Sequence, residues 1–137
     1  MSSTFYSYLA FIAPTSNAQL DTLKTYLQEF YSRPVFQAKE QPEISLSRQK
    51  ITVTFKDGYR FYIHLSKQKH IQEEATEFLE EKHDYAEQSF DKQLLATCTQ
   101  RFEIHGDDDY DIDYFNDSLY ILEEIEKFTD IIIFYIN

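Results

Sequence analysis

Glycine is nearly missing from this chain: Gly58 and Gly106 are the only two in 137 residues, against about 7% in average usage. A G-x-G-x-x-G turn or a Walker loop cannot be written with two glycines so far apart, so Rossmann and P-loop nucleotide chemistry is excluded in its usual forms. Cys98 is the only cysteine. It can form no intramolecular disulfide and no Cys-x-x-Cys zinc knuckle. No Gly-x-Ser-x-Gly elbow is present, so the usual strand-to-helix serine nucleophile is excluded. Long apolar runs are missing as well. The longest, Tyr8–Ala13 and Ile131–Ile136, fall far short of the roughly 20 residues of a membrane helix. The N-terminus, Met-Ser-Ser-Thr-Phe-Tyr, has no basic n-region of a signal peptide. The expectation is a reduced, soluble, cytoplasmic protein with no membrane partner.

Positive charge is scarce in one half only. Residues 1–70 carry five acids (Asp21, Glu29, Glu40, Glu43, Asp57) against nine bases, a net of +4. Residues 71–137 carry nineteen acids against four bases (Lys82, Lys92, Arg101, Lys127), a net of −15. Asymmetry of this size shapes a potential that chooses partners and speeds encounters. It disfavours nucleic acid, whose phosphates need clustered Lys and Arg. Apolar residues reach 42%, with 11 Tyr and 12 Phe, enough for a real core in a single domain spanning 1–137.

Periodicity sets the fold class. Thr4–Ile12 reads as a strand apolar on both alternating sets (Phe5/Leu9/Phe11 and Tyr6/Tyr8/Ile12), hence covered on both faces. Pro14 ends it. Ser16, with Gln19 in the capping-box position, starts a helix over Asn17–Tyr31, buried through Leu20, Leu23, Leu27 and Phe30. Short strands are expected at Val35–Ala38, Glu43–Ser47, Ile51–Phe55 and Tyr59–Leu65. In the last hairpin a two-residue loop would mix apolar and polar faces. A three-residue loop with Gly58 left-handed pairs Phe55 with Tyr59, Val53 with Phe61 and Ile51 with Ile63, leaving one face apolar.

Beyond Ser66 the period becomes helical. Ile71, Ala75, Phe78, Leu79 and Tyr85 or Ala86 form one face, and a second helix, Ser89–Cys98, buries Leu94, Leu95 and Cys98. Arg101–His105 reads as strand, Asp117–Phe128 as helix and Ile131–Ile136 as strand. The sum is an α+β domain: a mainly antiparallel sheet of about six or seven strands with three or four helices on it. The first and last strands are expected to be its most buried.

The acidic segment 106–117 places six aspartates behind Gly106. An EF-hand loop needs Gly at its sixth position and Glu at its twelfth. Started at Asp107 those places hold Ile112 and Ser118; started at Asp109 they hold Tyr114 and Tyr120. The calcium loop fails in both frames, and the sequence asks for no metal and no cofactor. The acids serve as a solvated loop favouring a helix N-terminus, as a looser divalent-ion site, or as a recognition surface. In the last reading Asp107, Asp108, Asp109, Asp111, Asp113, Glu123 and Glu124 steer a basic partner, and Tyr110, Tyr114 and Tyr120, interleaved with the acids together with Phe115, anchor it.

His64 and His105 lie on strand faces opposite the apolar set. His70 with Glu73 or Glu74, and His83 with Glu80, are helical pairs, and a di-iron site would need two Glu-x-x-His pairs plus two further Glu. Ordinary surface histidines account for all four. Arg48, Lys50, Lys56, Arg60, Lys67 and Lys69 cluster loosely about the hairpin, as edge charges or as partners of the acidic half.

Small, acidic and aromatic-rich with no enzyme motif, the chain resembles bacterial toxin-immunity and other inhibitor proteins in general character, which implies a protein-binding module engaging a basic partner through its acidic C-terminal half. Two other classes stay open: a small enzyme or ligand-binding domain whose pocket no linear motif reveals, and a self-associating structural protein.

Overall fold

Six strands pair antiparallel into one sheet of order β2-β3-β4-β5-β1-β6. The computed structural model describes residues 6–36, 41–67, 70–81 and 92–136, with side chains in the second helix described only as far as Glu77. The strands are β1 (Ser7–Ile12), β2 (Glu43–Ser47), β3 (Lys50–Thr54), β4 (Arg60–Ser66), β5 (Gln100–Gly106) and β6 (Ile131–Tyr135). The helices are α1 (Leu20–Tyr31), α2 (His70–Glu81), α3 (Lys92–Ala96) and α4 (Phe115–Ile125). The result is a single α+β domain, and none of the described helices is long and apolar enough to cross a membrane.

Alternation along β1 explains the layering. Tyr6, Tyr8, Ala10 and Ile12 join a large core with Ile51, Val53, Phe61, Ile63, Phe102 and Ile104 under α1 and α4. Leu9 and Phe11 turn to the other face and pack with Ile71, Ala75, Leu95, Cys98, Ile132 and Phe134 under α2 and α3. A strand apolar on both faces is thus covered on both faces, as its sequence predicts. β6 is apolar for the same reason, yet it sits at the sheet edge, paired to β1 alone among the described residues. The expectation that it would be a most buried strand is corrected: coverage of both faces does not fix a strand's rank in the sheet order.

The β3–β4 hairpin has the expected register. Val53 faces Phe61 and Ile51 faces Ile63. Phe55 N donates to Tyr59 O at 2.8 Å, Gly58 N to Phe55 O at 2.9 Å, and Gly58 has φ +97°. Burial of one apolar face selected the longer loop.

Two other expectations change. Helix α1 begins at Leu20 with Gln19 as an N-cap that makes no side-chain bond. Ser16 Oγ accepts from Ala18 N at 3.1 Å, and Asn17 Oδ1 accepts from Thr129 N at 2.9 Å. Residues 16–18 are therefore committed to tying the β1–α1 connection to the α4–β6 connection, and the capping box does not form. Val35 and Phe36 lie in a turn after Pro34, not in a strand. The rest of that strand, the start of the first strand, the Tyr85/Ala86 turn of the α2 face, His83 and the start of the helix expected at Ser89 fall outside the described residues.

Candidate functional site

The acidic segment 107–114 is pinned to the sheet at three points. Asp107 extends the β4–β5 pairing: its N donates to Arg60 O at 3.0 Å and its Oδ2 accepts from Arg60 N at 3.0 Å. Tyr59 Oη donates to Asp107 O at 2.7 Å. Asp109 is buried and accepts three hydrogen bonds: from Tyr6 Oη at 2.6 Å, Tyr114 N at 2.8 Å and Asp113 N at 3.1 Å. The last two are backbone donors just ahead of α4, so the carboxylate occupies the helix-start role expected for part of this run. The third point is aromatic: the Tyr114 ring stacks on Tyr59 at 4.0 Å and 6°, and its hydroxyl donates to Asp57 Oδ2 on the hairpin loop.

Tyrosine hydroxyls meet acids repeatedly here. Tyr31 Oη, on α1, donates to Asp117 Oδ1 at 2.6 Å. Burial, reinforced by the neighbouring carboxylates, pushes Tyr6, Tyr31, Tyr59 and Tyr114 well above the usual phenol range. They are therefore neutral donors that position the acids. The bond from Tyr114 in turn holds the Asp57 carboxyl below its ordinary value.

The ten residues singled out for partner binding separate into three groups by burial. Asp109 is buried against Tyr6, and Glu124 is buried in an ion pair with Lys127 Nζ at 2.7 Å. Both are turned inward and belong to the fold. Tyr120 is half-buried, packed on Phe30 with ring centres 4.8 Å apart, and Tyr114 is half-buried in its stack. Asp107 and Asp108 are half-buried, whereas Tyr110, Asp111, Asp113 and Glu123 are exposed. Phe115, interleaved with the acids in the sequence, is exposed by 46%, and Ile112, which sequence reasoning passed over as a contact residue, is exposed by 62%. Ile112 also has φ +59°, a left-handed conformation rare for a β-branched residue.

A cleft of about 500 Å³ opens next to this loop, lined by Phe36, Phe55, Lys56, Asp57, Asp113, Tyr114, Asn116, Asp117 and Tyr120. Its lining comes from the turn after α1, the hairpin loop and the start of α4. No linear motif spans those three places. At the hairpin loop and the start of α4 an aromatic lies beside an aspartate, a pairing too frequent in this chain to single them out, and Phe36 carries no such signal.

Elsewhere, His64 and His105 do lie opposite the main core, but the β4–β5 register stacks their rings 5.6 Å apart, with Tyr62 stacked on His105 at 5.0 Å. Burial first, and then His64, holds His105 below the usual imidazole value. Among the described residues no group of three His, Cys, Asp or Glu side chains could hold a metal ion. Helix α3 ends at Ala96, short of the expected Cys98, which is buried just beyond it, and burial pushes its thiol up to about 11. Comparisons with family models, curated proteins and solved structures return no match.

Proposed function

We propose that this protein is a protein-binding module that engages a basic partner through residues 108–116, in the manner of an immunity or inhibitor protein. The observation that carries this reading is Ile112. A β-branched residue at φ +59° costs about 1–2 kcal/mol, and a side chain exposed by 62% returns little burial within the domain. Sites where strain persists are held by their surroundings. Here Ile112 N donates to Asp109 O at 3.2 Å in a turn whose base is fastened by the buried Asp109 carboxylate. The turn presents Ile112, with Tyr110 80% exposed and Phe115 behind it, among Asp108, Asp111 and Asp113. Preorganised apolar anchors ringed by one sign of charge suit a basic protein, since rings and aliphatic groups slow dissociation while carboxylates steer approach. A nucleic acid does not suit this surface, as its phosphates would be repelled.

The test is affinity capture from the source cell followed by association and dissociation kinetics on the captured protein. Reversal of Asp108 and Asp111 to Lys is expected to lower the on-rate about tenfold or more at low salt, with the effect shrinking as salt rises. Tyr110→Ala and Ile112→Ala are expected to raise the off-rate roughly tenfold or more each if both anchor. A captured protein that binds all four changes combined with unchanged rates would overturn the reading.

A further inference from the structure

We propose that the cleft between the hairpin loop and the start of α4 is a cation pocket that receives one lysine or arginine side chain of the basic partner. This rests on the reading above and names what that partner inserts.

The walls are aromatic. Phe55 and Tyr114 stand 4.8 Å apart between ring centres, and Phe36 and Tyr120 stand 6.2 Å apart. Ring faces are negative and attract cations. The same aromatic belt already holds the protein's own cations on its flanks: Arg33 lies over Phe30 at 4.8 Å and Lys127 over Tyr26 at 5.3 Å. The polar lining carries the matching sign. Among the described residues of the lining, Asp57 and Asp113 face one ammonium, Lys56, and Asp117 stands beside them. The hydrogen bonds that Asp57 and Asp117 accept from Tyr114 and Tyr31 come from neutral phenols. Those bonds hold both carboxylates in place, and a neutral phenol leaves the charge of Asp57 uncancelled.

The alternatives fit less well. An anion would meet three carboxylates, and a purely apolar ligand would desolvate them without compensation. The carboxylates around the cleft do not converge on a metal: among the described residues no group of three His, Cys, Asp or Glu side chains could hold one. A volume of about 500 Å³ admits a lysine or arginine side chain with water around it. The assignment to a partner's side chain follows from continuity: Asp113 and Asn116 on the cleft rim are exposed in the same stretch as Ile112 and Phe115. Lys56, exposed on the hairpin loop, is the internal competitor that the incoming cation displaces.

The experiment titrates the isotopically labelled full chain with Nα-acetyl-lysine methylamide and Nα-acetyl-arginine methylamide, followed by NMR. The norleucine analogue, which has the same shape without charge, is the comparator. Saturable shifts at Asp57, Tyr114, Asn116 and Asp117 are expected, with a dissociation constant on the order of millimolar that weakens with salt. Asp113→Asn, an exposed change, should weaken lysine-amide binding roughly three- to fivefold, and Lys56→Gln should tighten it by a similar factor. Tyr110→Ser with Ile112→Ser should leave the probe's affinity unchanged while weakening capture of the partner. Equal shifts with the norleucine analogue, or indifference to both Asp113→Asn and Lys56→Gln, would overturn the pocket. Spermidine binding more than about a hundredfold tighter than the lysine amide would reassign it to a free polyamine and overturn the side-chain assignment. Cation binding that persists while the partner ignores the Tyr110 and Ile112 changes would instead remove the protein-binding reading.

Discussion

At the residue scale, the two glycines are needed for opposite reasons. Gly58 has φ +97° and open space where a side chain would go, with nothing within 4 Å of an added Cβ. Its requirement is conformational alone. Gly106 is crowded: an added Cβ would lie 2.5 Å from Tyr59 Oη and 2.9 Å from a Phe61 ring carbon. Tyr59 is held by its bond to Asp107 O and Phe61 is fully buried, so neither can yield cheaply. Gly58→Val is expected to destabilise by roughly 1–2 kcal/mol, with Gly58→Asn milder because Asn tolerates left-handed backbone. Gly106→Ala is expected to cost about 1–3 kcal/mol through overpacking although it adds only a methyl group. Denaturant melts of the three variants check both. A Gly106→Ala protein as stable as wild type would show that the Tyr59 latch is loose.

At the element scale, the turn of the β5–α4 loop just ahead of α4 is fastened by the Asp109 side chain. Asp109 gathers a phenol from β1's leading residue and two backbone donors ahead of α4. Asp109→Ala leaves those donors without their acceptor and is expected to destabilise the fold by about 2–3 kcal/mol, whereas Asp109→Asn, which keeps an acceptor oxygen, should lose less. The loss should be local before it is global. Amide exchange at residues 110–114 is expected to rise in Asp109→Ala under conditions where the β1 and β5 amides stay protected. Uniformly faster exchange across the sheet would mean that the loop and the core open as one unit.

For the whole molecule, acidity and fold are separable. The −11 net charge is concentrated beyond residue 70, and its aspartates divide between structural roles and the exposed turn. The charges that remain outside are spread along a loop and a helix start, and among the described residues no three of them could hold a metal ion. Calcium or magnesium at about millimolar concentration is therefore expected to shift the melting temperature no further than screening of diffuse charge does. A saturable rise, abolished by Asp109→Asn or Asp113→Asn, would reveal a divalent-ion site in the segment.

What the sequence determined by itself is what depends on alternation and on local backbone geometry. The doubly apolar pattern of β1 dictated coverage by helices on both sides, the mismatch of faces dictated the Phe55–Tyr59 loop, and the apolar spacing of Leu20, Leu23, Leu27 and Phe30 dictated the buried side of α1. Those signals are carried within a few neighbouring residues. Tertiary structure decided the strand order, and with it the edge position of β6, because apolar faces specify coverage and not rank. It decided which carboxylates turn inward: nothing near Asp109 in the chain distinguishes it from Asp108 or Asp111, and its partner Tyr6 lies 103 residues away. It decided the cleft, whose walls meet only because the β4–β5 register carries Asp107 and the start of α4 to the hairpin loop. Long-range pairing, where burial, hydrogen bonding and charge must be satisfied together, is the part that local pattern does not encode.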